Sequence, residues 1–265
     1  MTETTVSETA ESISFAPGAP SWVDLSSPDV ASAKTFYTGL FGWDAMELGE
    51  EAGGYVMFAL DGKVAAAVGP VQEGGHPAWM IYFSTADADA TAAKVNAAGG
   101  KTVWAPSDVM DQGRMAVFSD AAGAYFSVWQ PAKMPGLGVQ DAPGSYGWCE
   151  LNTRGVPGAA EFYGAVFGWT SKLAETSTAE MPYTEWMLDG QRLGGAVDMA
   201  DSNMPAEVPP HWLVYFNVTN LAATVARVTE LGGSVKLDAH DYPGGKFAIV
   251  ADPAGATFGL MAPAG

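Results

Sequence analysis

Two matching segments of the sequence each place a carboxylate two residues after a tryptophan. Asp24 follows Trp22 in SWVDL, and Glu150 follows Trp148 in GWCEL. Residues two apart on a β-strand point to the same face, so each carboxylate shares a face with an indole ring. Aromatic neighbours exclude water and raise the pKa of a carboxyl group, which then suits a general base or acid. The plainer alternative is that hydroxyl groups or backbone amides satisfy both carboxylates and that the tryptophans are core residues.

Tyrosines stand at matching places in two later segments of the chain. Tyr82 lies in WMIYFST and Tyr215 in PHWLVYF. A phenol beside a carboxylate is a hydrogen-bond donor that can polarise a ligand carbonyl. We therefore predict that Asp24 or Glu150 acts as a base and that Tyr82 or Tyr215 acts as the polarising donor.

Two cations and two histidines also occupy matching places. Arg114 and Lys246 each follow a glycine, and they either clamp an acidic group of a ligand or offset the aspartate of the turn that follows. We favour the second, structural role. His76 and His211 precede matching tryptophans, which places them near the rim of a cleft, more as polar contacts than as catalysts.

An internal repeat positions all of these residues. Residues 21–43 return without a gap as residues 147–169, and LDG at 60–62 returns at 188–190. A repeat of this length predicts two copies of one domain. We expect a disordered acidic tail over 1–16, a first domain over 17–131, a linker over 132–145 and a second domain over 146–265.

Each copy contains the same order of elements twice. A strand precedes a helix near 29–40 that ends at Gly42, and two strands follow, joined at Asp61-Gly62, a pair typical of a tight hairpin. A second strand, a helix over 86–98 and three more strands complete the copy. The sequence thus predicts an α+β protein with four βαβββ modules.

Composition restricts the partners. The formal charge is -18 with a pI near 4.2, so the surface repels nucleic acids and anionic membranes. The sequence has neither an apolar run long enough to cross a bilayer nor the features of a signal peptide, which predicts a cytoplasmic protein. The one cysteine, Cys149, has a carboxylate rather than a cation beside it and is predicted to be a core residue.

The motifs FYTGLFGW, PHWLVYF and DPAGATF resemble the vicinal oxygen chelate superfamily of glyoxalases, bleomycin resistance proteins and dioxygenases. Within it, the tandem arrangement is similar to actinobacterial glyoxalase-like proteins typified by a mycobacterial culture-filtrate antigen, some of which occur beside antibiotic-biosynthesis genes. The resemblance implies that each pair of modules curls into a partial barrel around one cleft.

Metal-dependent members of that family hold the ion with His, Glu or Gln on the strands of this cleft. The resemblance places those positions on non-coordinating side chains: Trp22, Met80 and Ser127 in the first copy, and Trp148, Leu213 and Gly259 in the second. A divalent site needs three or four converging oxygen or nitrogen donors. We therefore expect both clefts to lack a metal ion, and we expect no other cofactor.

Strand alternation then gives the other residues of the cleft face. The expected ligand-binding set is Trp22, Trp148, Met80, Trp129, His76, His211, Asn152, Asn217, Arg114 and Lys246. An aromatic pocket with one carboxylate suits a planar apolar ligand that carries a few hydroxyl or carbonyl groups.

Three functions remain open. The first is a metal-independent enzyme, of the isomerase or lyase type, that acts on an aromatic or polycyclic compound in specialised metabolism or detoxification. The second is a protein that binds a drug or metabolite without altering it, as bleomycin resistance proteins do. The third, metal-dependent glyoxalase I chemistry, conflicts with the missing ligands. We expect tight binding in only one cleft, and a monomer or a homodimer.

Overall fold

The computed structural model describes residues 13–175, 177, 178, 182–202 and 204–264. The expected tail therefore lies mostly outside the described residues. Phe15 packs against the hydrophobic core, and its backbone oxygen accepts a hydrogen bond from Ser84 Oγ at 3.4 Å. Phe15, which falls within the expected tail, therefore contacts the first domain.

The described chain consists of four βαβββ modules, as predicted. The first two modules contain β1 (Pro20–Ser27), α1 (Val30–Phe41), β2 (Asp44–Glu47), β3 (Val56–Leu60), β4 (Lys63–Pro70), β5 (Ala78–Ser84), α2 (Ala88–Ala97), β6 (Lys101–Val109), β7 (Gly113–Ser119) and β8 (Tyr125–Pro131). The other two contain β9 (Tyr146–Thr153), α3 (Val156–Phe167), β10 (Thr170–Leu173), β11 (Thr184–Leu188), β12 (Gln191–Asp198), β13 (His211–Asn217), α4 (Leu221–Glu230), β14 (Ser234–Tyr242), β15 (Gly245–Ala251) and β16 (Thr257–Pro263). The short, fully exposed strands β2 and β10 are absent from the sequence prediction, because they show no alternation of apolar and polar residues.

Each pair of modules forms one mixed sheet of eight strands. The strand orders are β2-β3-β4-β1-β5-β8-β7-β6 and β10-β11-β12-β9-β13-β16-β15-β14. In the first sheet, β1 and β5 pair antiparallel at the centre, and β4 and β8 flank them in parallel. The first strand of each module therefore lies in the middle of its sheet, where the cleft-facing residues of two modules meet.

Local sequence signals explain the ends of the elements. The Asp29 side chain accepts a hydrogen bond from the backbone N–H of Ser32 and caps α1, which ends at Gly42 with φ 72°. The predicted hairpin turn is confirmed, since Asp61 and Gly62 have φ values of 51° and 74°. Among the described residues, no helix is long and apolar enough to span a membrane.

The aromatic residues shared by the two repeats pack the two sheets together. The Phe83 ring of β5 lies 5.4 Å from the Phe167 ring of α3, and the Phe216 ring of β13 lies 5.1 Å from the Phe41 ring of α1. Helix α1 also contacts α4, and α3 contacts α2. Each copy therefore contributes its first helix to the core that it shares with the other copy.

Buried hydrogen bonds cross the same contact in both directions. Trp79 Nε1 donates to Tyr37 OH at 3.0 Å, and Tyr37 OH donates to Asp252 Oδ2 at 3.2 Å. In the matching chain of hydrogen bonds, Trp212 Nε1 donates to Tyr163 OH at 2.8 Å, and Tyr163 OH donates to Asp120 Oδ2 at 3.1 Å. We call these two chains the interdomain hydrogen bonds.

The segment expected to be the linker is ordered against the first sheet. Leu137 is 1% exposed, and its N–H donates to the backbone oxygen of Ser21 at 2.9 Å. The N–H of Gly138 donates to the backbone oxygen of Val64 at 2.7 Å. This segment therefore contacts the first domain directly.

Candidate functional site

In the first cleft, Asp24 accepts two hydrogen bonds from tyrosines. Tyr55 OH donates to Asp24 Oδ2 at 2.6 Å, and Tyr82 OH donates to the same oxygen at 2.9 Å. Trp22 Nε1 donates to Tyr55 OH at 3.4 Å. Burial raises the pKa of Asp24 to about 6, and this outweighs the opposite effect of the two hydroxyl groups. The sequence prediction brought Trp22, Asp24 and Tyr82 together correctly.

The second cleft repeats this arrangement with a longer acid. Tyr215 OH donates to Glu150 Oε1 at 3.1 Å, and Trp148 Nε1 donates to Tyr183 OH at 2.8 Å. Burial raises the pKa of Glu150, and hydrogen bonds from Tyr215 and Tyr183 oppose the shift. Both clefts therefore hold one carboxyl group whose neutral form is stabilised by burial.

Tyr55 and Tyr183 are site residues that the sequence prediction missed. Tyr55 immediately precedes β3 and Tyr183 immediately precedes β11, so both lie outside the strands from which the cleft face was inferred. The matching LDG segments that follow contained the signal, because they align Tyr55 with Tyr183. A glycine makes room for Tyr183, since a Cβ on Gly195 would lie 2.1 Å from its hydroxyl oxygen.

The hydroxyl groups of these tyrosines are already engaged in hydrogen bonds to the carboxylates. The hydroxyl hydrogens of Tyr82 and Tyr215 are directed at Asp24 and Glu150. Burial, and then the nearby carboxylate, raise the pKa of both phenols well above the ordinary value, so they stay neutral. When the carboxyl group is ionised, the phenol donates its hydrogen to it. Only when the carboxyl group is protonated, and is itself a hydrogen-bond donor, can the phenol donate to a ligand carbonyl. This restricts the donor role expected from sequence to one protonation state of the site.

The remaining predicted aromatic and amide residues lie on the cleft strands. Met80 is paired with Asp24 in the sheet, and Asn152 is paired with His211. Trp129 is 6% exposed, and its Nε1 donates to the backbone oxygen of Met134 at 2.9 Å, in the segment expected to be the linker. Elsewhere, half-buried Asn217 is paired with Met261.

Arg114 and Lys246 pair with neither of the aspartates proposed for them. Arg114 makes ion pairs with Asp89 at 3.0 Å and Asp108 at 2.8 Å, and Lys246 pairs with Asp241 at 3.1 Å. The expected pairing with the turn aspartates is wrong, because backbone amides and a tyrosine from the other copy satisfy those carboxylates. Both cations alternate along their strands with the cleft-facing residues, so the structure does not bring them into a cleft.

The other candidates lie at the periphery or in the core. His76 is exposed in the loop before β5, and His211 Nδ1 lies 2.9 Å from the backbone oxygen of Pro209. Cys149 is 1% exposed, and burial raises the pKa of its thiol to about 12. A thiol with so high a pKa is a poor nucleophile, which agrees with the predicted core role.

The two clefts differ in how far they are filled. In the first, Trp22 is 4% exposed and Trp129 is covered by the chain around Met134. In the second, the matching residues Trp148 and Met261 are half-buried. Trp148 and Met261 of the second cleft are thus more exposed than their counterparts, whereas Met80 of the first cleft is more exposed than the matching Leu213.

Comparisons with known proteins show the family of the chain. Residues 19–128 match the Glyoxalase/Bleomycin resistance protein/Dioxygenase superfamily, and residues 148–261 match a glyoxalase-like domain family. The anthracycline biosynthesis protein DnrV of Streptomyces peucetius is 43% identical over 93% of this chain and 94% of its own length. The protein CFP32 of Mycobacterium tuberculosis is 36% identical over 93% of this chain and 95% of its own. The chain belongs to the glyoxalase/bleomycin resistance/dioxygenase superfamily. Its tandem arrangement of two glyoxalase-like domains, expected from the motifs, is confirmed.

Solved structures of this superfamily share the whole fold at low sequence identity. The 2,3-dioxygenase LapB from Pseudomonas sp. KL28 has a TM-score of 0.64 and 13% identity, covering 94% of this chain and 93% of its own. A Mn(II)-bound glyoxalase from Novosphingobium aromaticivorans has a TM-score of 0.63 and 17% identity, covering 93% and 82%. At such identities the likeness shows the fold alone.

The side chains of the clefts do not fit the metal ion that such superfamily members bind. In residues 13–264, apart from the few positions left undescribed, no three His, Cys, Asp or Glu groups lie close enough to hold a cation. Each cleft offers one carboxylate, Asp24 or Glu150, and tyrosine hydrogens already occupy one of its oxygens. A divalent site needs at least three good donors. At its centre each cleft thus presents one carboxyl group and its phenol partners.

The pKa of Asp24 makes the stability of the fold depend on pH. A carboxyl group whose pKa rises from 3.8 to about 6 on folding stabilises the folded state below pH 4, and this contribution disappears as the pH rises through 6. The difference is on the order of 3 kcal/mol. We expect Asp24→Asn to reduce the fall in melting temperature between pH 4.5 and 7.5. The exposed control Asp44→Asn should leave the native pH dependence intact, and equal curves for all three proteins would contradict the prediction.

Proposed function

We propose that the second cleft binds a planar polycyclic aromatic compound with carbonyl and hydroxyl groups, and that Glu150 transfers a proton to or from it. The observation that carries the proposal is the buried carboxyl group of Glu150, with a raised pKa, beside a half-buried indole ring and two tyrosine hydroxyls. A base with a raised pKa is more effective near neutral pH than an exposed carboxylate.

The ligand class follows from the shape and chemistry of the cleft wall. The rings of Tyr215 and Phe247 lie 6.3 Å apart along the same face as Trp148. These two rings meet edge to face, and a cleft wall made of aromatic rings favours flat, apolar ligands whose orientation the few polar groups fix. Two relatives named for anthracycline biosynthesis, both from Streptomyces, support a ligand with fused aromatic rings.

The proposed step is a proton transfer next to a ligand carbonyl. Glu150 takes a proton from a C–H bond next to the carbonyl, the electron pair of that bond forms a C=C bond, and the π pair of the C=O bond moves to the oxygen. The oxygen then takes a proton from water, and the hydroxide left behind takes the proton from Glu150. Once Glu150 is protonated, Tyr215 is free to donate its hydrogen to the developing oxyanion, as a hydrogen-bonding side chain does in an oxyanion hole. Atoms and electrons balance without an oxidant, so the overall change is a tautomerisation.

We assign this role to the second cleft alone. The covered Trp129 and the buried Trp22 support a structural role for the first cleft. Asp24 there accepts hydrogen bonds from two tyrosines on one oxygen, which supports a carboxyl group satisfied within the fold. We also propose that the protein acts in the cytoplasm as a monomer or a homodimer.

A tricyclic ketone with an acidic C–H bond tests the proposal. We expect the protein to bind 1,8-dihydroxyanthrone with one site per chain by titration calorimetry. We also expect it to accelerate deuterium exchange at the methylene carbon in D2O, followed by mass spectrometry. Binding without faster exchange would favour a non-catalytic binding protein of the bleomycin-resistance type. Two equivalent sites would contradict the assignment to one cleft, and no binding would contradict the ligand class.

A further inference from the structure

The edge of the second cleft carries two cations on one buried carboxylate. Glu185, whose side chain is 10% exposed, accepts from Arg192 at 3.3 Å and from Lys172 at 3.1 Å. Two positive charges against one negative charge leave a local excess of one positive charge. This excess is notable in a chain whose formal net charge is -18. An exposed cation next to an aromatic cleft is a binding feature for an anionic group.

Strand pairing places this cluster on the face of Glu150. Glu185 is paired with Gly195, and Gly195 is paired with Glu150. Residues paired across neighbouring strands project to the same face of a sheet. Gly195 carries no side chain between the two acids, and the ring of Tyr183 lies over it. The cluster therefore lies two strands from the proposed base, on the same side of the sheet.

Aromatic residues line the opposite side of this cleft. The Phe247 ring lies 6.3 Å from Tyr215 and 6.0 Å from Tyr242. Burial raises the pKa of Tyr242, and the nearby charge of Arg192 opposes that shift. Arg192 lies within electrostatic range of Tyr242, which is at the far end of a line of rings that begins at Tyr215, the hydrogen-bond partner of Glu150. A flat ligand lying along these rings would reach both Glu150 and Arg192.

The first copy shows that the fold does not require the cluster. At the matching strand positions it has Met46, Met57 and Val64 in place of Lys172, Glu185 and Arg192. Val64 is instead covered by the chain at Gly138, whose N–H donates to its backbone oxygen. Among the described residues, the charged cluster is therefore found only beside the second cleft.

We propose that Arg192, held by Glu185 and assisted by Lys172, binds an anionic oxygen of the ligand at the end of the second cleft remote from Glu150. The anionic group is an ionised phenol or a carboxylate attached to the aromatic ring system. This subsite rests on the proposed function, since it selects among polycyclic ligands of the same cleft. It also explains why a strongly acidic protein keeps two of its few cations at this edge.

A pair of probes that differ in charge tests the subsite. We measure tryptophan quenching by anthraquinone-2-carboxylate and by neutral 2-(hydroxymethyl)anthraquinone. The substitution Arg192→Val introduces the residue found at the matching position of the first copy. It should weaken binding of anthraquinone-2-carboxylate about tenfold, because a charge-assisted contact is lost. Binding of the neutral probe should change less than about twofold, within the scatter of single contacts. Arg192→Lys should restore part of the lost affinity.

The controls separate this proposal from the function on which it rests. Lys94→Met removes one charge from the exposed face of α2 and should leave both affinities unchanged. If the native protein binds both probes but Arg192→Val weakens them equally or not at all, the subsite is refuted and the aromatic cleft stands. If the native protein binds neither probe, both proposals are refuted. Equal native affinities for the two probes would also refute the subsite.

Discussion

Replacing Glu150 with glutamine is expected to reduce the exchange of the anthrone methylene protons to the rate in buffer. General base catalysis contributes roughly 100-fold to 10,000-fold, so the loss should fall in that range. Glutamine has nearly the same shape, and its carbonyl oxygen can still accept the hydrogen bond from Tyr215. The dissociation constant should therefore change by less than about threefold, since no contact with the ligand is removed. Deuterium exchange and calorimetry on the same preparation measure both quantities.

The matched variant in the first cleft makes the experiment specific. Asp24→Asn alters an equivalent carboxyl group, with its own pair of tyrosine donors, on the equivalent strand. A loss of exchange with Asp24→Asn but not with Glu150→Gln would place the chemistry in the first cleft. Parallel losses of rate and affinity with Glu150→Gln would mean that this carboxyl group serves binding alone.

Strand alternation and the internal repeat were enough to predict the centre of each site. Trp22, Asp24 and Tyr82 lie on two adjacent central strands, where a period of two fixes which residues share a face. The same rule worked in the second copy because β9 and β13 pair in the same way. The four modules were also predictable, since glycine and aspartate turns mark their boundaries.

The rest of the site depends on contacts that no short-range pattern encodes. Tyr55 lies outside any strand, and its ring crosses to Asp24 over Gly69, where a Cβ would lie 2.8 Å from the ring. The cluster at Arg192 arises from three strands at the edge of a sheet, one of which has no alternation. The contact of the expected linker with the first sheet is also long-range, because the N–H of Leu137 donates to the backbone oxygen of Ser21.

The interdomain hydrogen bonds give the motif residues a structural role that the sequence did not reveal. Tyr37 and Tyr163 belong to the repeated FY pair, and each donates to an aspartate of the other copy. The indole N–H groups that donate to these tyrosines come from the same copy as the tyrosine in each case. The chain thus joins its two halves with polar bonds inside an aromatic core, where an unpaired donor or acceptor is costly.

Asp120→Ala is therefore expected to cause the largest loss of stability. Asp120 is 4% exposed, and it accepts hydrogen bonds from the N–H groups of Ala122 and Ala124 and from the Tyr163 hydroxyl. Alanine would leave two buried donors, the Ala124 N–H and the Tyr163 hydroxyl, and the partly buried Ala122 N–H without an acceptor. This should lower the free energy of unfolding by about 3 to 5 kcal/mol. Urea unfolding followed by fluorescence measures this change. Asp238→Ala, at an exposed position on β14, should change it by less than about 0.5 kcal/mol.

The pseudo-symmetry of the chain provides a second, independent test of the same interaction. Asp252 accepts equivalent bonds from two backbone amides and from Tyr37, so Asp252→Ala should destabilise the protein to a similar extent. Because each aspartate joins the two sheets, the double variant should separate a single unfolding transition into two, as the halves lose their cooperativity. Near-native stability of either single variant would show that the aromatic packing alone holds the halves together. A double variant that still unfolds in one transition would show that the hydrogen bonds do not couple them.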